Sequence, residues 1–249
     1  RQLGISCHCE PEQSEGTAIS KPGDEIASVV SLPRNDATEA ERLWVLGGTG
    51  NDEEALLLDV YQQLKEDRRF ADLRLVVVPR KPERFDEVAQ LIQDRGLPLI
   101  RYSQVKDSST DKSIINNQLS VDAVVLGDTM GDLRKFYSLA TIIFVGRSLV
   151  PMGGSDMMEA AAMGKCTIFG PHAFNFKQAV DALLADNGAV MVKDKDDLLA
   201  AMKKCLTDPN YAQAIAQNGR KVIMKNQGAT QKTIDEITKI LNPVFRSGL

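Results

Sequence analysis

Several short segments of this chain combine glycine, hydroxyl, basic and acidic residues at spacings that suit anion and sugar recognition. In FVGRSLVPMGGSDMMEAAAMGKCTIFGPHAFNF (residues 144–176), Gly153 and Gly154 precede a helix carrying Asp156 and Glu159. Adjacent glycines let the backbone approach a ligand closely, and a helix start offers unpaired amides to a phosphate. Glu159, about one turn in, has a carboxylate able to accept two hydrogen bonds from vicinal ribose hydroxyls. The same spacing is that of a capping box, in which both carboxylates bond backbone amides instead. On the residues alone both readings stand. Met152, Met157, Met158 and Met163 suit packing better than ligand contact. His172, after Pro171, suits a surface turn.

Three other loops carry related chemistry. In VVVPRKPERF (residues 76–85), Arg80 and Lys81 stand between a strand end and a helix opened by Pro82. A guanidinium there can reach a phosphate in a crevice or remain a solvated cation. In VLGDTMGDLRKFY (residues 125–137), Thr129 follows a strand end, and Met130 and Gly131 open a helix whose amides suit a base edge or an anion. Asp128 or Thr129 as a helix cap is the alternative. The run GGTGNDEE (residues 47–54) lacks the third glycine of a dinucleotide fingerprint and has no P-loop lysine. Its acidic cluster favours a helix dipole but repels a pyrophosphate, so a capped strand–helix turn is expected there. Cys7, His8 and Cys9 make a poor tetrahedral site without a second Cys/His pair, and no acidic pair has a convincing metal context. Neither metal nor cofactor is expected.

The elements that must position these loops follow from hydrophobic patterning. Short apolar runs (LWVLG, LRLVVVP, PLIRY, VDAVVLGD, TIIFVG, CTIFG and AVMV) alternate with stretches of helical spacing. Continuous Val/Ile/Leu runs between helices mean buried parallel strands, covered on both faces by right-handed crossovers. The fold class is α/β, a doubly wound, mostly parallel, Rossmann-like sheet. Ligands on such sheets sit beyond the carboxyl ends of the strands, which is where these loops fall. Residues 1–40 are rich in Glu, Ser, Pro and Gly without periodicity and are expected to form a linker or flexible tail. Residues 41–249 are expected to form one Rossmann-like domain with helices at its carboxyl end. The stretch KDSSTDKSIINNQ (residues 106–118) is a polar break.

Composition excludes some functions. The chain has 249 residues, a formal net charge of −4 and only 5% aromatics, so nucleic acid is not an expected partner. No apolar run reaches the ~18–20 residues of a membrane helix, and no signal peptide opens the chain. Its first residue is not Met, and a piece of a longer protein is expected. Four cysteines are too few for a disulfide scaffold and suit a reduced, cytoplasmic setting.

Together, VPRKPERF, LGDTMGDLRKFY, FVGRSLVPMGGSDMMEAAAMG and FGPHAFNF resemble, in order and spacing, the carboxyl-terminal half of 3-deoxy-D-manno-octulosonic acid (Kdo) transferases, from about Trp44 to Leu241. The resemblance implies a two-domain GT-B glycosyltransferase that moves Kdo from CMP-Kdo to a lipid A precursor at the cytoplasmic face of the inner membrane. It implies that this half binds the CMP donor, and that acceptor and catalytic base belong to an amino-terminal domain outside this chain. It also implies Arg80 for the phosphate or donor carboxylate, amides near Thr129, Met130 and Gly131 for the nucleotide, Gly153 and Gly154 for close approach, and Glu159 for the ribose, with Asp156 at the helix start. The chain departs from the family pattern at four places. Ser-Thr-His becomes Gly48-Thr49-Gly50, His becomes Lys81, His/Gln-Asn becomes Ser155-Asp156, and Glu-Pro becomes Glu159-Ala160. Asp156 places a carboxylate where a phosphate is expected, and at ~4 Å and an effective dielectric of 20 two like charges cost about 4 kcal/mol. A GT-B domain for another nucleotide sugar, or a non-catalytic nucleotide-binding domain, remains an alternative.

Overall fold

A computed structural model describes residues 42–106, 122–226, 234–235 and 237–239. The expected tail at residues 1–40, the Cys7-His8-Cys9 group and nearly all of the polar break lie outside the described residues.

Every strand expected from an apolar run is present, in one seven-stranded sheet of order β3-β4-β2-β1-β5-β6-β7. The strands are β1 (Leu43–Thr49), β2 (Arg74–Pro79), β3 (Leu99–Arg101), β4 (Val124–Leu126), β5 (Ile142–Val145), β6 (Cys166–Phe169) and β7 (Val190–Met191). All pairings are parallel. Alternation along the strands divides the core. Trp44, Leu46, Leu75, Val77, Ile142, Phe144 and Ile168 face one side, where α1 (Glu53–Lys65), α2 (Phe85–Asp94) and α7 (Lys195–Thr207) pack. Leu43, Val45, Val76, Val78, Ile143, Val145 and Phe169 face the other, against α4 (Leu133–Leu139), α5 (Met157–Ala162) and α6 (Lys177–Ala185). A strand buried on both faces needs apolar residues at every position, which is why the runs are continuous.

Two further helices are α3 (Tyr102–Lys106), which sequence patterning assigned partly to a strand, and α8 (Pro209–Asn226). The chain runs outward from β1 to β2 on one side and from β5 to β6 and β7 on the other. The strand order thus reverses between β1 and β5, and on such sheets ligands bind in the crevice outside the carboxyl ends of the strands near that point. No described helix is long and apolar enough to cross a membrane.

Candidate functional site

At the carboxyl end of the sheet a buried carboxylate joins the loops that follow β1 and β5. Glu53, the first residue of α1, is fully buried. It accepts hydrogen bonds from the amides of Arg147, Ser148 and Leu149, the latter two at 2.8 and 2.9 Å. A loop that turns this sharply leaves amides with no strand partner, and a buried orphan amide costs about 1–3 kcal/mol. Glu53 satisfies three at once, so the acidic start of α1 is a clamp between the β1 and β5 loops rather than only a dipole partner. Burial is the largest influence on its carboxyl and raises its pKa, against the three amide bonds, which lower it. Beside it, Glu54 is buried in a two-bond pair with Arg84, at 2.6 and 3.2 Å.

Three positions that depart from the family pattern lie in the same junction. Ser155 Oγ donates to the Gly48 carbonyl at 2.8 Å. A β-carbon on Gly48 would approach Ser155 Oγ to 2.7 Å, and one on Gly50 would meet Met152 Sδ at 2.6 Å. Gly48, Gly50 and Ser155 thus pack the two loops together, and larger residues at 48 or 50 require a different arrangement here.

Gly153 and Gly154 adopt φ of 90° and 83°, open to glycine at little cost. Their close neighbour is the chain itself. A β-carbon on Gly153 would lie 2.1 Å from Asn175 Nδ2, and one on Gly154 3.0 Å from Ala173 Cα. The amides of Gly154 and Ser155 donate to the Arg147 and Gly146 carbonyls.

Asp156 takes the capping role that its type and position allow, accepting from the Met158 amide at 2.8 Å. That amide is therefore not free for a phosphate. Glu159 does not close the capping box. Its Oε1 lies 3.4 Å from Arg134 Nε, and the two side chains are 31% and 75% exposed respectively. Among the described residues this carboxylate accepts from no backbone amide.

The third loop differs from its sequence reading in detail. Met130 and Gly131 do not open the helix. Gly131 has φ of 86°, and α4 begins at Leu133. Both residues are exposed, and neither amide donates to a described residue. The turn is held from behind. Asp132 accepts from Thr129 Oγ1 and Lys106 Nζ, each at 2.7 Å. Asp128 does not cap α4 but accepts from the Ser103 amide and from Arg101 Nε at 2.8 and 2.7 Å. Burial alone would raise the Asp132 carboxyl, but bonds from Lys106, Lys135 and Thr129 outweigh it and bring it down to about 2.

At the end of β2 the Arg80 amide donates to the Thr49 carbonyl at 3.1 Å, while its side chain is exposed and pairs with no described residue. Lys81 lies 3.7 Å from Glu83. Arg80, Thr129, Met130, Gly131 and Asp156 thus stand on loops at the carboxyl ends of β2, β4 and β5, and Glu159 in the first turn of α5. Glu53, Glu54, Asp128 and Asp132 support those loops; the partners of the first three are mostly distant in sequence, whereas Asp132 joins the distant Lys106 to its local partners Thr129 and Lys135.

No family model matches the chain. It is 31% identical over 213 residues to a 3-deoxy-D-manno-octulosonic acid transferase of Haemophilus influenzae, covering 85% of this chain and 47% of that protein. Against the enzyme of the same name from Bordetella pertussis it is 32% identical over 193 residues, covering 77% of this chain and 43% of that protein. The chain therefore spans less than half the length of these curated relatives. Among solved structures, the C-terminal CMP-Kdo binding domain of WaaA from Acinetobacter baumannii matches with a TM-score of 0.65 and 29% identity, covering 74% of this chain and 90% of that one. The all-parallel, doubly wound sheet is the Rossmann-like architecture of a GT-B glycosyltransferase domain. By sequence and by fold, this chain is a homologue of the carboxyl-terminal domain of the 3-deoxy-D-manno-octulosonic acid transferases.

Proposed function

We propose that this chain is the donor-binding half of a glycosyltransferase that moves Kdo from CMP-Kdo to a lipid A precursor in lipopolysaccharide biosynthesis. The observation that carries this reading is the match over 90% of a domain described as binding CMP-Kdo, at 29% identity. In this reading the exposed Arg80 guanidinium pairs with the donor phosphate or carboxylate. The open amides of Met130 and Gly131 meet the nucleotide, and Thr129 holds that turn through Asp132. Glu159 accepts from the ribose hydroxyls, with Arg134 beside it. Gly153 and Gly154 shape the turn that delivers α5, and Asp156 caps it.

The chemistry is glycosyl transfer through an oxocarbenium-like centre. This half positions the donor and stabilises the departing CMP phosphate, while a base on the amino-terminal domain deprotonates the acceptor hydroxyl. The whole protein works at the cytoplasmic face of the inner membrane, where its lipid acceptor lies. Titration calorimetry with CMP, UMP and ADP tests the reading. CMP preference is expected. Preference for UMP or ADP assigns the domain to another nucleotide sugar, and no binding by a folded sample overturns the donor role.

A further inference from the structure

The opposite end of the sheet holds a second chemical feature. Cys166, the first residue of β6, and Cys205, in the last turn of α7, have sulfurs 3.7 Å apart although 39 residues separate them. Both are free thiols and nearly buried, at 2% and 3% exposure. They share one wall of a cavity of about 460 Å³ whose other sides include Arg42, Lys165, Pro209 and Ala212. The cavity is far larger than a water or peroxide molecule needs.

We propose that Cys166 and Cys205 form an oxidisable dithiol site, converted by a small hydroperoxide entering this cavity into an intrachain disulfide. The site is independent of the donor crevice and of the function assigned to it. Cys166 S–H donates to the Cys205 sulfur. That bond favours the thiolate on Cys205, against the cost of burial, and the Lys204 ammonium adds to it while the Asp208 carboxylate opposes it. On Cys166 the same bond and burial hold the proton in place. A thiolate with an adjacent thiol is the arrangement of an attacking and a resolving cysteine.

With hydrogen peroxide, the Cys205 thiolate attacks one oxygen. The S–O bond forms, the O–O bond breaks, and hydroxide leaves and takes up the proton that Cys205 released. Cys166 then attacks the sulfenyl sulfur, the S–S bond forms, the S–O bond breaks, and water leaves with the Cys166 proton. Two thiols and one peroxide give one disulfide and two waters. The sulfurs must close by roughly 1.7 Å to reach bonding distance. Each sits at the end of its element, Cys166 following the Gly164 turn and Cys205 three residues before the α7 cap at Asp208, where the backbone yields most readily.

The test uses the full chain carrying Cys7→Ser and Cys9→Ser, treated while folded with dilute hydrogen peroxide, alkylated and digested without reduction. Mass spectrometry is expected to find the two peptides joined through Cys166 and Cys205, about 2 Da lighter than the dithiol and separated again by dithiothreitol. The oxidised chain is expected to melt several degrees higher, because the new link closes a long loop. Cys205→Ala is expected to slow peroxide modification of Cys166 at least tenfold. Sulfinic or sulfonic acid on single cysteines, or thiols that react only after unfolding, overturns the proposal. Undiminished reaction of Cys166 in the Cys205→Ala chain overturns the assigned order of attack.

Discussion

Two glutamates at helix starts border the same crevice, and their surroundings set them apart. Glu53 is fully buried and accepts from three amides of a loop some 95 residues away. Glu159 is 31% exposed, and its described partner is an arginine that is itself 75% exposed. The first carboxylate is consumed in building the loop, whereas the second still has lone pairs to offer. Acidic residues at the head of a helix thus fall into two kinds, those that satisfy the protein's own amides and those that do not. The same division runs through the rest of the site, with Asp128, Asp132 and Glu54 turned inward and Arg80 turned outward.

The sharpest way to break the comparison is at Glu53. Glu53→Ala orphans three amides, and an unfolding free energy lower by about 4 kcal/mol is expected in urea titration. A loss below ~1 kcal/mol would remove the clamp from the account. Because burial holds its carboxyl above the ordinary value, the folded state keeps this proton longer than the unfolded chain does. Stability is therefore expected to fall as pH rises from the ordinary 4.5 through the raised folded value, a slope that Glu53→Gln removes.

Arg84→Met is expected to cost about 3 kcal/mol, because Glu54 would stay buried without its partner. The double variant with Glu54→Leu recovers much of that loss if the pair is structural, and none of it if Arg84 acts elsewhere. Asp132 titrates with the opposite sign to Glu53. Its folded pKa of about 2 lies below the ordinary 3.8, so its contribution is fully present above that value and is lost as pH falls toward 2. Wild type is expected to exceed Asp132→Asn in stability near neutrality, with the gap closing in acid, as followed by thermal melts across pH. Arg80→Ala, by contrast, is expected to leave the melting temperature unchanged and to weaken CMP binding about tenfold, the worth of one charge-assisted bond. A shifted melting temperature with unchanged affinity would move Arg80 to the inward group.

These contrasts mark how far sequence alone reaches. The seven strands were legible because a doubly buried strand must be apolar at every position, a local property. The cap at Asp156 was legible for the same reason, since it bonds two residues on. Glu53 was not, because its partners are distant in sequence and nothing in DEEALLL points to them. The start of α4 was placed early because Gly131 looked like a helix residue, yet its positive φ forms the turn before the helix. The paired glycines suit a close approach of any kind, and among the described residues it is 173–175 that approach them. Where a residue's role lies in a contact between two loops, only the fold reveals it.

The most direct test of the division between building and binding residues is calorimetric titration of CMP into wild type and Glu159→Ala, with melting temperatures measured in parallel. The expected result is an affinity about tenfold lower with an unchanged melting temperature, as befits a lost ribose contact. Equal affinities for the two folded proteins would contradict it and leave Glu159 a surface partner of Arg134.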